Sequence, residues 1–220
     1  MADLLILGHR GAASLPENTV PSFEEALKLG ADGVELGVRQ TADGKLAVVH
    51  GSVVGTRAVQ GSTYEQIRKL KKGFEVPLLE DVLKIFGRKT FLDIEFKTPG
   101  FEEQAVELIR EYADADKVLI SGFDPEALSK VKSLFPEIQL GYIYNRTQDE
   151  ESRHNCPIDV VIPQFRLASR ELIEEVHDEG LRVIPWTVNE DREITRLLGL
   201  GVDGFITDHP EKVVALTRDK

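Results

Sequence analysis

Apolar and polar positions along this 220-residue chain follow two rhythms. Short apolar runs read as buried strands, and longer stretches with apolar residues three and four apart read as amphipathic helices. The first run, Leu4-Leu5-Ile6-Leu7-Gly8, is continuous, as expected of a strand buried on both faces. Thr19 is placed to cap the next helix, with Pro21 in its first turn, and that helix stops at Gly30. Gly33 to Val38 predicts a second strand, with Val34, Leu36 and Val38 on one face and Glu35 and Gly37 on the other. Thr41-Ala42-Asp43-Gly44 is a turn signal. Leu46 to His50 must then run back antiparallel, because the connection is too short for a parallel crossover. Residues 51 to 61 read as loop. Ser62-Thr63-Tyr64-Glu65 is a capping-box pattern opening a short helix through Ile67 and Leu70, and Pro77 to Phe86 reads as another helix.

Beyond this point the rhythm is regular. Strands are predicted at Thr90–Phe96, Lys117–Ser121, Ile138–Ile143, Asp159–Ile162, Leu181–Val188 and Gly204–Thr207. Helices are predicted at Phe101–Tyr112, Pro125–Leu134, Ser169–Glu179, Glu190–Leu198 and Pro210–Arg218, with a weak turn around Gln148–Ser152. Asp124-Pro125 and Asp208-His209-Pro210 look like helix starts, which makes both aspartates capping residues. With the hairpin set aside, eight strands each precede a helix or helical turn, the order of an α/β (β/α)8 TIM barrel. We expect one domain over residues 1–220, with a β-hairpin excursion after strand 2 and a minimal cap loop. A doubly wound open sheet is the alternative, but no G-x-G-x-x-G follows the first strand, so nothing indicates a dinucleotide site.

Composition narrows the setting. The net charge of −11 argues against non-specific nucleic-acid binding and against adhesion to anionic membranes. A phosphate site would have to gather its positive charge locally. No apolar run reaches the ~20 residues of a membrane span, and Met1-Ala2-Asp3-Leu4 lacks the basic start of a signal peptide. The single Cys156 excludes an internal disulfide and suggests a reducing, cytoplasmic setting.

Barrel enzymes carry their chemistry at the C-terminal ends of strands. There this sequence offers His9 and Arg10 after strand 1, Glu35 on strand 2, His50 closing the hairpin, and Asp93, Glu95 and Lys97 on strand 3. Trp186, Thr187 and Asn189 end strand 7. Glu35 and Glu95 could meet as oxygen ligands of a hard cation. Arg10 and Lys97 could hold phosphate oxygens, and two imidazoles could move protons near neutral pH. Such a set suits metal-assisted hydrolysis of a phosphate ester. Glu95 in so apolar a strand needs a cation or an ion-pair partner, such as Lys97 or Arg10. His154, His177 and His209 read as structural.

The ordered set Gly8-His9-Arg10-Gly11, Pro16-Glu17-Asn18-Thr19, Gly30-Ala31-Asp32-Gly33-Val34-Glu35-Leu36, Val48-Val49-His50, Asp93-Ile94-Glu95-Phe96-Lys97, Trp186-Thr187-Val188-Asn189 and Gly201 to Asp208 resembles the glycerophosphodiester phosphodiesterase family. The resemblance implies a TIM barrel that cleaves a small-molecule glycerophosphodiester to glycerol 3-phosphate and an alcohol, within lipid and glycerol metabolism. It implies a divalent metal, Mg²⁺ or Ca²⁺, with Mn²⁺ a further candidate. By the same resemblance His9 and His50 form the acid/base pair, Glu35 and Glu95 are metal ligands, Arg10 and Lys97 contact phosphate, and Trp186 walls the pocket. The family's third ligating aspartate is replaced here by Gly37, and the aspartate after its second histidine by Gly51. A second reading follows from those glycines: a catalytically impaired barrel that binds a phosphorylated small molecule or a partner.

Overall fold

The computed structural model describes residues 4–69, 73–146 and 152–218. The chain opens with β1 (Leu5–His9), α1 (Val20–Lys28) and β2 (Gly33–Gln40). The hairpin strand β3 (Leu46–Val48) follows, then a second, two-stranded hairpin of β4 (Val53–Val54) and β5 (Arg57–Ala58). Two helices, α2 (Tyr64–Ile67) and α3 (Leu79–Phe86), precede β6 (Phe91–Phe96) and α4 (Glu102–Tyr112). The second half runs β7 (Val118–Gly122), α5 (Pro125–Leu134), β8 (Gln139–Tyr144), β9 (Val160–Pro163) and α6 (Arg170–Asp178). It ends with β10 (Arg182–Val183), α7 (Asp191–Leu200), β11 (Gly204–Thr207) and α8 (Pro210–Thr217).

Parallel pairing runs in the order β10-β9-β8-β7-β6-β2-β1-β11. That is the eight-stranded TIM barrel expected from the sequence. β3 pairs antiparallel with β2, Val38 facing Val48 and Gln40 facing Leu46, as the hairpin reading required. The predicted seventh strand, Leu181–Val188, is regular only at Arg182–Val183. Pro185 has no N–H and so cannot continue a two-sided ladder. The barrel still closes there: Asp203 N donates to Val183 O (2.9 Å), Ile206 N to Pro185 O (3.1 Å) and Val188 N to Ile206 O (3.0 Å).

Alternation along the strands builds two cores. Leu7, Leu119, Ile162, Ile184 and Ile206 point inward and fill the barrel. Ile6, Val34, Leu36, Ile94 and Ile120 point outward against Phe23, Val82, Ile109 and Val131 of the helices. At Gly8 the strand passes so close to α1 that a Cβ would lie 2.7 Å from the Cβ of Ala26, so only glycine fits the step before His9.

At α1 and α5 the predicted helix caps are in place. Thr19 accepts from Ser22 N. Asp124 caps α5 by accepting from the amides of Glu126 and Ala127. At α2 the capping box lies one residue later than Ser62, between Thr63 and Gln66. Leu70, and Gln148 to Glu151 of the weak turn, lie outside the described residues. No helix among the described residues is long and apolar enough to cross a membrane.

Candidate active site

The parallel register assembles the carboxylates. Glu35 of β2 stands beside His9 on one side and Asp93 of β6 on the other, while Gly37 stands beside Glu95. Since i and i+2 share a face, Glu35, Gly37, Asp93 and Glu95 all belong to one inward-facing patch at the barrel mouth. Asp93 is fully buried and Glu95 nearly so. Ser121 on β7 donates to Asp93 Oδ1, whose partner oxygen has no donor among the described residues. Burial raises the affinity of Asp93 for a proton well above the usual carboxylate range, and the charge of Glu35 adds to this. Glu95 is also raised, by burial and by Glu35, although Lys97 opposes the change.

Lys97, just past β6, turns back and forms a buried ion pair with Glu95 Oε2. Of the two partners considered for Glu95 from sequence, the lysine is therefore the one found. Glu95 Oε1 has no hydrogen-bond donor among the described residues. A buried, orphaned carboxylate oxygen facing a second carboxylate is the chemistry of a hard-cation site. Glu35 and Glu95 fit a divalent ion in donor type, and Gly37 supplies nothing further.

Arg10 is held in a left-handed conformation (φ +56°), uncommon for a residue with a side chain. Its amide donates to Glu35 O (2.9 Å) and Glu35 Oε2 (3.0 Å), and its carbonyl accepts from Asn18 N (2.8 Å) and Ser22 Oγ (3.1 Å). This lattice turns the guanidinium toward the mouth, where it meets Glu17 at 2.7 Å. His50 arrives from the hairpin. Val49 N donates to Gly37 O (2.8 Å), and Arg39 Nε donates to the His50 carbonyl (3.0 Å). Burial, then the charges of Lys97 and Arg10, push the His50 imidazole down to about 4. It is therefore neutral at neutral pH.

His9 Nδ1 lies 2.7 Å from Asp208 Oδ1, and its Nε2 faces Glu35 Oε2 at 3.9 Å. This corrects the reading of Asp208 as a cap. The N-cap of α8 is His209, and the Asp208 carboxylate bonds His9 and Asn189 instead. Burial acts to raise Asp208, but the bond and charge of His9 and the bond from Asn189 outweigh it and hold the group below the usual range. Sequence reasoning missed Asp208 because Asp-His-Pro before a helix has the same signature as a cap. The contact that distinguishes the two readings spans 199 positions.

One cavity of about 340 Å³ is lined by His9, Arg10, Glu35, His50, Glu95, Lys97 and Trp186 together. The rest of its lining is apolar, Phe123, Ile143, Ile162 and Ile206, except for Asn145. Trp186 donates Nε1–H to Ile162 O (3.1 Å), and Phe123 meets its ring edge-on, centroids 6.1 Å apart. A second cavity of about 430 Å³ adjoins the first, sharing His50, Glu95, Lys97 and Phe123 and reaching Arg39, Ser52 and Thr98. The remaining histidines lie elsewhere in ion pairs or surface clusters. His177 meets Asp203 (2.9 Å), and His209 meets Glu211 (3.4 Å). His154 lies near Glu175 and Glu179, which Arg153 already bonds.

Comparison with known proteins bears directly on this geometry. Residues 9–212 match the model of the glycerophosphoryl diester phosphodiesterase family. A glycerophosphodiester phosphodiesterase of Caldanaerobacter subterraneus subsp. tengcongensis is 35% identical over 237 aligned residues, covering 97% of this chain and 98% of that protein. One from Bacillus altitudinis is 32% identical, covering 97% and 98%. Among solved structures, a glycerophosphodiester phosphodiesterase from Parabacteroides distasonis superposes with a TM-score of 0.86 at 22% identity, covering 100% of this chain and 99% of its own. An Oleispira antarctica phosphodiesterase in complex with the product sn-glycerol-3-phosphate superposes with a TM-score of 0.85 at 21% identity, covering 96% and 95%. On the match of almost its whole length, in sequence and in fold, this chain belongs to the glycerophosphoryl diester phosphodiesterase family.

Proposed function

We propose that this protein hydrolyses glycerophosphodiesters to glycerol 3-phosphate and an alcohol. The observation that carries the proposal is the convergence of two imidazoles, two guanidinium or ammonium groups and two buried carboxylates on a single cavity. Attack at phosphorus requires a proton to leave the attacking hydroxyl, and bond cleavage requires one to reach the departing oxygen. His9 and His50 are the groups we assign to these transfers. Arg10 and Lys97 offset the charge of the phosphate and of the trigonal-bipyramidal arrangement that follows attack. Trp186 and Phe123 wall the side of the cavity where an ester arm would lie.

A divalent ion, Mg²⁺, Ca²⁺ or Mn²⁺, would be held by Glu35 and Glu95, with Asp93 behind them, and when bound would polarise a phosphoryl oxygen. With two first-hand carboxylates and no ligand from Gly37, its affinity should be modest. His50 adds a link between binding and chemistry. Burial and then Lys97 and Arg10 depress it, so a phosphate that neutralises those cations raises its affinity for a proton, while the part of the depression due to burial remains. That Cys156 is the single cysteine of the sequence is in keeping with the cytoplasmic setting we infer.

The impaired-barrel reading keeps one supporting observation: Lys97 lies across Gly37 and pairs with Glu95, in the space where a ligand would stand. A single assay separates the two. Purified protein is incubated with glycerophosphoglycerol and glycerophosphocholine, each with Mg²⁺, Ca²⁺ or Mn²⁺, and glycerol 3-phosphate is measured enzymatically. Product formed by the starting protein and lost on His9→Ala supports hydrolysis. Absence of product with all three metals overturns it.

A further inference from the structure

The cavity that adjoins the first carries a cation of its own. We propose that this second cavity takes the departing arm of the diester, and that Arg39 there selects an arm bearing a carboxylate or a phosphate. The proposal rests on the hydrolysis assigned above and names the class of alcohol released.

The placement follows from the strand. Glu35, Gly37 and Arg39 are alternate residues of β2 and share a face. Arg39 lies ~6–7 Å beyond Gly37 along the strand, past the last pairing of β2 with β6 at Val38, where β2 runs on with β3 and Arg39 stands opposite Ala47. The face that gives a carboxylate to the first cavity therefore gives a guanidinium to the second. His50, Glu95, Lys97 and Phe123 line both cavities, so a phosphodiester held at Lys97 can extend one ester arm into each. The first, walled by Trp186 and isoleucines, suits the uncharged carbon chain of glycerol. The second, of about 430 Å³, has the room and the charge for a different arm.

Arg39 is half-buried and held, but not neutralised. Its Nε donates to the His50 carbonyl (3.0 Å), which fixes the plane of the guanidinium. Its two terminal nitrogens have no hydrogen-bond or ion-pair partner among the described residues. The other charged groups lining this cavity are already engaged. Lys97 is paired with Glu95, and Asp124 accepts from the amides of Glu126 and Ala127 at the start of α5. Gly51 is part of the lining and adds no charge. An unpartnered guanidinium fork matches the paired oxygens of a carboxylate or phosphate. Ser52 and Thr98 bring hydroxyl donors to the same cavity. On a chain of net charge −11, a local cation is what admits an anionic arm. Bracing the hairpin at His50 would use Nε alone, and it gives the terminal nitrogens nothing to do.

Glycerophosphoserine and glycerophosphoethanolamine differ by one carboxylate on the departing arm, so the ratio of their kcat/KM values tests the selection. It is measured for the starting protein, for Arg39→Gln and for Ser52→Asp. The starting protein should favour the serine diester by roughly tenfold, mainly through KM. Arg39→Gln should bring the ratio close to one. Ser52→Asp, at an exposed position, keeps the Arg39–His50 bond, puts a competing carboxylate in the cavity and should also lower the ratio. A ratio near one in the starting protein overturns the proposal. So does a preference that survives Arg39→Gln or, if that variant does not fold, Ser52→Asp; Arg39 would then only brace His50. If neither diester is hydrolysed, the proposed activity fails, and calorimetry with phosphoserine and phosphoethanolamine decides the selection. Tighter binding of phosphoserine that is lost in Arg39→Gln upholds it, and equal binding overturns it.

Discussion

Lys97 lies across Gly37. Its Cε is 2.8 Å from the point where a Cβ on residue 37 would stand, and its ammonium is bonded to Glu95. The absence of a side chain on β2 is thus filled by a cation from the end of β6. The two positions are linked: whatever is added at 37 must move Lys97.

Gly37→Asp should therefore do two things. It should push Lys97 off Glu95 and add a third carboxylate, and affinity for Mn²⁺ measured by calorimetry should rise at least about tenfold. Because the new Cβ also stands 3.1 Å from the Val49 carbonyl, the metal-free variant should lose about 1–3 kcal/mol of stability in a urea melt. Unchanged affinity would show that position 37 does not limit metal binding.

The Glu95–Lys97 pair is almost wholly buried, at 6% and 10% side-chain exposure. Glu95→Gln leaves an unpartnered ammonium and should destabilise the metal-free protein by about 3–5 kcal/mol. The double variant Glu95→Gln, Lys97→Met should recover most of that. If the double variant is as unstable as the single one, the pair is not coupled. Denaturant midpoints of the four members of the cycle decide it.

His50 should titrate near 4 in the metal-free protein, well below an unperturbed histidine. Its folded value is depressed, so between about 4 and about 6.5 the unfolded chain binds the extra proton. The stability His50 contributes is complete above about pH 6.5 and is lost as pH falls toward 4. Saturating glycerol 3-phosphate should move the midpoint upward by offsetting Lys97 and Arg10. An NMR titration that starts near 6.5, or does not move with ligand, contradicts this electrostatic account.

Phe123 is 43% exposed and touches Trp186 edge-on. Phe123→Ala should leave stability within about 0.5 kcal/mol. Losing one aromatic contact, worth about 0.5–1.5 kcal/mol, should raise KM by roughly two- to tenfold and leave kcat nearly unchanged. A drop in kcat at constant KM would place Phe123 in the chemistry rather than on the wall.

Local rules decided much of this protein in advance. Strand and helix periodicity, Thr19 and Asp124 as caps, and a connection too short for a crossover determined the barrel order and the hairpin, because each depends on residues within a few positions of one another. The i, i+2 rule by itself put Glu35 with Gly37 on one face of the second strand. Strand-end position, helped by the family resemblance, picked out seven of the residues that line the cavity: His9, Arg10, Glu35, His50, Glu95, Lys97 and Trp186. Tertiary structure alone decided the rest. Inter-strand register set which carboxylate stands beside His9 and which beside Gly37. Closure of the barrel brought Asp208 to His9 across nearly the whole chain. No local pattern encodes such a contact, because it exists only once the first and last strands of the barrel lie side by side.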